Sequence, residues 1–300
     1  MAQEEPSVVA AMTGDPPEPL AVSGRPLGGK VALVTGAARG QGRAHAVRLA
    51  RDGADIIALD LAERPAECLE YPPATPDDLA QTGAELAAHG VRVRTARVDT
   101  RDFDALVTEL DDVVAELGRL DIVVANAGVV TYAPLLETSA DQWQTNIDIN
   151  LTGSWYTARA ALPYLLAGGE GGSIVLIGSI CAVRTLPLLV AYTAAKHGLL
   201  GLAHALALEL APKGIRVNTV NPAGVDTPMS GVDVMTKVRE MFEDLPEVAP
   251  PRPPLLGGVG GRNGMSAPED VADAVAFLVS DAAKRITGQD IFVDFGRALI

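Results

Sequence analysis

From residue 30 onward, short runs of aliphatic and β-branched residues alternate with longer stretches whose apolar positions recur every three or four residues. The short runs predict strands over 30–35, 55–60, 91–98, 121–125, 173–177, 216–220 and 290–294. Their near-continuous hydrophobicity suits a parallel sheet covered on both faces. Between them, Leu106, Val107, Leu110, Val113, Val114 and Leu117 form one apolar helical stripe, as expected of a helix laid on a sheet. A helix is also predicted over 41–51. Another opens at Ser266, with Pro268 and Glu269 in its first turn, and runs through Leu278. Strand and helix in alternation predict a single-domain Rossmann-type fold: a doubly wound parallel sheet of about seven strands with helices on both faces.

Two segments interrupt this rhythm. Residues 61–76, LAERPAECLEYPPATP, are too long for an ordinary strand-to-helix connection of about two to six residues. Residues 226–265 hold a possible short helix around 232–242, followed by the Pro/Gly-rich VAPPRPPLLGGVGGRNG. Both follow the C-terminal ends of strands, where ligands bind in such sheets. They are read as a cofactor-side insert and a substrate lid. The domain itself is expected over 29–300. Residues 1–28, with Glu4, Glu5, Asp15 and five prolines, read as a disordered tail and not as a signal peptide.

Composition narrows the class of protein. With 300 residues and 48% apolar content, the chain can bury a full core. A net charge of -14 and a pI near 4.7 repel phosphate backbones and anionic lipid, so neither nucleic acid nor a membrane is an expected partner. No apolar run approaches the roughly 18 residues of a membrane span. The two cysteines, Cys68 and Cys181, form no disulfide framework, and a cytoplasmic protein is expected. No metal-ligand spacing involves His197 or His204, which read as helix-surface or interface residues.

The chemistry enters with the turn Thr35-Gly36-Ala37-Ala38-Arg39-Gly40-Gln41-Gly42, which follows an apolar strand and opens a helix. Glycines there let the backbone approach a pyrophosphate, whose charge meets free N–H groups at the helix N-terminus. Asp60 ends the next strand, in position to accept ribose hydroxyls. A carboxylate there repels a 2′-phosphate and favours NAD over NADP, whereas Arg39 is the opposing signal because an arginine pairs with such a phosphate. The carboxylate is given the greater weight. Asp99, at the end of the third strand, reads either as an acceptor for the adenine amine or as a solvated turn residue.

Tyr192 and Lys196 stand four apart in AYTAAK, on one helix face, so that the ammonium is expected to lower the pKa of the phenol and make it a base. Ser179 lies thirteen residues before Tyr192. Taken singly, Ser179 also reads as a strand end, Asn150 as a helix polar residue and Lys196 as a solvated side chain.

Together these motifs resemble the short-chain dehydrogenase/reductase family from Gly29 to Gly296. The glycine turn, Asn126-Ala127-Gly128, Asn150 in DINLTG, Ser179, Tyr192, Lys196 and Pro222-Ala223-Gly224 carry the resemblance. Ala125 stands where a second asparagine is usual, and Ala223 is inserted between the proline and the glycine. The resemblance implies that Tyr192 takes the alcohol proton as hydride passes to a nicotinamide, that Ser179 holds the substrate oxygen, and that Lys196 holds the nicotinamide ribose. It also implies that Asn150 kinks its helix and fixes a relay water. The cofactor would be held by Gly36, Arg39, Gly40, Gln41, Gly42, Asp60, Leu61, Asp99, Thr100, Asn126, Ala127, Gly128, Tyr192, Lys196, Pro222, Gly224, Val225 and Thr227.

Within the family, TGAARGQGR, the insert with Tyr71-Pro72 and Ala74-Thr75-Pro76, AAKHG and NPAGVDTPM look like the mycofactocin-dependent, carveol-dehydrogenase-like branch. That likeness implies NAD held so tightly under the insert that an external redox carrier reoxidises it. With loops lying as in the family, Val183, Leu186, Leu188, Val190, Val225, Met229 and Met241 would line the space above the nicotinamide, an apolar lining that suits a lipophilic, terpenoid-like alcohol, although a plain core would use the same residues. Membership of the family also implies a homotetramer. The rival readings are a freely exchanging NADP-dependent ketone reductase and a non-catalytic dinucleotide-sensing protein of the same fold.

Overall fold

The computed structural model describes residues 24–169, 171–243, 255 and 264–299. Seven strands form one sheet: β1 Val31–Thr35, β2 Asp55–Asp60, β3 Val93–Arg97, β4 Ile122–Ala125, β5 Gly172–Ile177, β6 Ile215–Pro222 and β7 Asp290–Val293. Their order is β3-β2-β1-β4-β5-β6-β7, and every pairing is parallel. The helices are α1 Gly40–Arg51, α2 Pro76–Ala87, α3 Phe103–Leu117, α4 Ala140–Ile147, α5 Gly153–Ala167, α6 Val190–Leu210, α7 Val232–Glu243 and α8 Pro268–Val279.

Alternation along the strands separates two cores. Leu33, Leu59, Val123, Leu176 and Val217 pack with α3, α5 and α6. Their neighbours Ala32, Val34, Ala58, Val124 and Val175 face the other way, toward α1 and α8. Because both faces are covered, the strands read as unbroken apolar runs. Strand order reverses between β1 and β4, and in such sheets the crevice beyond the C-terminal strand ends at that point receives ligands. No helix among the described residues is long and apolar enough to cross a membrane.

Several boundaries move. Residues 1–23 of the expected tail lie outside the described residues, but the chain joins the fold before Gly29. Leu27 is buried, its N–H donates to the Asp52 carbonyl (2.8 Å), and the Arg25 guanidinium reaches the His89 carbonyl (2.6 Å). The insert ends at Thr75, because Pro76 is already the first residue of α2. Thr75 caps that helix, its hydroxyl accepting from the Asp78 N–H at 3.2 Å. Ala267, and not Ser266, immediately precedes α8, and the Asp270 carboxylate reaches back to its N–H (2.8 Å). Ser266 instead pairs its N–H with the Gly224 carbonyl at 2.9 Å. Of the expected lid, residues 244–254 and 256–263 lie outside the described residues.

Candidate active site

The glycine turn after β1 is forced by backbone. Gly36 and Gly40 adopt φ of +68° and +55°, in the left-handed region where a side chain is strained. At Gly42 a Cβ would stand 1.9 Å from the Gly36 carbonyl oxygen, so the first turn of α1 admits only glycine at that position. Asn126 closes the turn against β4, its Nδ2 donating to the Thr35 carbonyl (2.9 Å), while the Thr35 hydroxyl accepts from the Asn126 N–H (3.1 Å).

This turn forms one side of a cavity lined by Gly36, Arg39, Gly40, Gln41, Gly42, Asp60, Leu61, Asp99, Thr100, Asn126, Ala127, Gly128, Asn150, Tyr192, Lys196 and Thr227. The Asp60 carboxylate accepts from the Ala38 and Ala62 N–H groups at 2.9 and 2.7 Å. Both oxygens keep a further lone pair, which fits a ribose diol. The Gln41 side-chain oxygen is buried without a partner among the described residues. Arg39, the signal for a 2′-phosphate, is engaged elsewhere: its guanidinium donates to the carbonyl of Pro72 in the insert. Asp99 chelates Arg101 (2.6 and 2.9 Å). Burial pushes its carboxyl up, but the Arg101 hydrogen bonds outweigh this and hold it below the usual carboxylate range.

A five-residue π-turn, Asp148–Thr152, separates α4 from α5 and contains Asn150, a distortion frequent at functional sites. The Asn150 side chain is fully buried. Its Nδ2 donates to the carbonyls of Val129 (2.9 Å) and Asn146 (3.0 Å), and its Oδ1 accepts from the Val129 N–H (3.2 Å). It therefore clamps the loop after β4, where a Cβ on Gly128 would meet Oδ1 at 2.8 Å.

On α6, Lys196 Nζ donates to the Ile177 carbonyl at the end of β5 (2.8 Å) and lies 5.6 Å from the centre of the Tyr192 ring. Burial pushes the lysine down to about 8, so the ammonium still predominates at pH 7. The expected lowering of the Tyr192 pKa is not what the surrounding protein groups produce. Burial of the phenol dominates and raises it; the Cys181 thiol adds to the rise, while a hydrogen bond with Ser179 opposes it. Ser179 touches the site through Tyr192 and also accepts from the Cys181 N–H (3.1 Å).

Other expectations are redistributed. Ser179, Pro222, Gly224 and Val225 are not among the cavity-lining residues. Val225 packs against the α1 and α8 side of the sheet, because the turn after β6 is drawn toward Ser266. Leu186, Leu188, Met229 and Met241 join an apolar cluster around Tyr192, but Val183 and Val190 are 50% and 40% exposed. Leu69, Tyr71, Val129 and Ile149 also line the cavity, although no motif in the sequence places them there. A lone aromatic within a proline-rich loop was the available signal for Tyr71. His197 and His204 are exposed on α6, and His204 pairs with Asp290 (3.0 Å).

A family model described as enoyl-(acyl carrier protein) reductase matches residues 36–298. The chain belongs to the short-chain dehydrogenase/reductase family. The (-)-trans-carveol dehydrogenase of Rhodococcus erythropolis is 43% identical over 90% of this chain and 98% of its own. A short chain dehydrogenase from Mycobacterium paratuberculosis, solved bound to NAD, superposes with a TM-score of 0.87 at 46% identity, covering 91% of this chain and 99% of its own. The carveol dehydrogenase of Mycobacterium avium, solved in complex with NAD, gives 0.84 at 44% identity, covering 93% and 100%.

Proposed function

We propose that this protein is an NAD-dependent oxidoreductase that moves a hydride between a lipophilic, terpenoid-like secondary alcohol and its ketone. The observation that carries this reading is that Tyr192 and Lys196 open onto the same cavity as the glycine turn and the Asp60 carboxylate. The NAD-bound relatives and the carveol dehydrogenases support it. The residues fit the cofactor. Gly36, Gly40 and Gly42 leave backbone exposed at the start of α1 for the pyrophosphate, and Asp60 takes the ribose hydroxyls. With Arg39 held by the insert, a 2′-phosphate would face a carboxylate without the arginine that would neutralise it, which argues against the NADP-dependent alternative.

NAD, when bound, supplies the hydride acceptor and a positive ring charge. The chain supplies the proton chemistry. The Tyr192 phenol oxygen takes the alcohol proton in oxidation and returns it in reduction, and the Ser179 hydroxyl, bonded to that phenol, orients the substrate oxygen. Burial raises the pKa of the phenol, and Lys196, fixed by the Ile177 carbonyl, would oppose this with a nearby positive charge to which the bound nicotinamide ring adds its own. Asn150 holds the loop that Gly128 lends to the cavity. The apolar cluster of Leu186, Leu188, Met229 and Met241 excludes water and receives the carbon skeleton.

Residues 61–75 are tied to the glycine turn by Arg39 and to α7 by a Lys237–Glu70 pair (3.3 Å). On this reading they cover the cofactor and make it non-exchangeable, so that an external carrier such as mycofactocin reoxidises it. Assembly as a cytoplasmic homotetramer through the two long helices α5 and α6 and the C-terminal strand β7 completes the proposal. Tyr192→Phe should fold and retain NAD but lose between about a hundredfold and ten-thousandfold in turnover, measured with an artificial electron acceptor and checked by circular dichroism. Near-normal turnover in the folded variant would remove the tyrosine from the reaction.

A further inference from the structure

We propose that the insert after β2 is part of the substrate pocket, with Leu69 and Tyr71 as the residues that set which alcohol bulk is accepted. The inference rests on the dehydrogenase reading and extends it from the cofactor to the substrate. Leu69 and Tyr71 are each 6% exposed and belong to the apolar cluster that contains Val129, Val130, Ile149, Leu188, Leu189, Val234 and Val238, with Tyr192 packed against it. Both also line the cavity that Tyr192 and Lys196 share with Met229.

Their position is fixed. The Tyr71 hydroxyl accepts from the Val130 N–H (3.2 Å), pinning the ring to the loop after β4. Between the two, Glu70 turns outward to Lys237 on α7 (3.3 Å). Adjacent side chains thus divide the work: Leu69 and Tyr71 face inward, into the cluster against which Tyr192 packs, and Glu70 ties the roof to the substrate-side helix. A segment serving the adenosine end alone would have no reason to bury a leucine and a tyrosine against residues 129, 130 and 149. An apolar wall beside the reacting oxygen discriminates by size, where one methylene is worth roughly tenfold or more.

The experiment compares kcat/KM for 2-butanol, cyclohexanol and carveol in the full-length protein, Leu69→Ala and Leu69→Phe, with an artificial electron acceptor. Calorimetric binding of the matching ketones and the rate of NAD release are measured on the same preparations. Leu69→Ala should raise the carveol to 2-butanol ratio by about tenfold and Leu69→Phe should lower it, in turnover and in ketone affinity alike, while NAD release stays within about twofold of the unmodified protein. Unchanged ketone affinity ratios in both variants, with faster NAD release, would overturn the inference and leave the insert as a cofactor cover only. If the unmodified protein oxidises none of the alcohols, the dehydrogenase reading fails instead, and the ketone affinities still decide whether Leu69 walls the pocket.

Discussion

At the floor of the cleft, backbone meets backbone. A methyl on Gly42 would stand 1.9 Å from the Gly36 carbonyl, and one on Gly36 would stand 2.8 Å from the Ala127 Cα. At the roof, residues 61–75 are held by side chains reaching across from elsewhere: Arg39 to the Pro72 carbonyl, Tyr71 to Val130, and Glu70 to a Lys237 that is half exposed. A floor made this way has one solution, because no rotamer change relieves a backbone clash. A roof made of side-chain anchors can change its shape residue by residue without unfolding the sheet. The floor therefore suits an invariant cofactor, and the roof suits a substrate that differs among relatives.

The harshest way to break the comparison is Gly42→Ala. It should cost roughly 3 kcal/mol or more, at or above the upper end for carbon inserted into a packed interior, and abolish NAD retention. A urea midpoint and NAD content matching the unmodified protein would show that the floor yields as readily as the roof.

His45 tests the floor from beneath. It is fully buried in α1, neither ring nitrogen has a hydrogen-bond partner among the described residues, and burial holds its pKa down to about 3. The unfolded chain binds a proton at this residue below about pH 6.5, and the folded chain does not until about pH 3. Between those values, stability should fall as pH falls, by up to about 1.4 kcal/mol per pH unit from this residue. Urea midpoints at two pH values inside the window should converge in His45→Leu. An unchanged acid slope in that variant would mean that the ring is protonated in the fold.

Asp60→Ala acts at the boundary of floor and roof. Removing the carboxylate should narrow the preference for NAD over NADP by about tenfold, read by calorimetry on cofactor-stripped protein. Equal binding of both by the unmodified protein would reverse the assignment of cofactor. The smallest effect is expected at Lys237→Ala. Its partner carboxylate is partly exposed as well, so the loss should stay under about 1 kcal/mol. The effect should be a modest rise in the rate of NAD release with no change in melting temperature, followed by stopped-flow fluorescence. A large fall in melting temperature would place this pair in the framework of the fold.

The sequence by itself determined the alternation of strands and helices, the glycine turn, the carboxylate ending β2 and the spacing of Tyr192 and Lys196. Each is a property of one element: apolar periodicity names a strand or a helix, and four residues along a helix put two side chains on one face. Tertiary structure decided what required two distant segments to meet. It turned Val225 away toward α1 and α8 and spent Arg39 on the insert. It also brought Leu69 and Tyr71 beside a tyrosine more than a hundred residues later in the chain. The direction of the Tyr192 shift belongs to the same class. A neighbouring ammonium can be read from spacing, but desolvation sums over every group that excludes water, and those groups come together only in the fold.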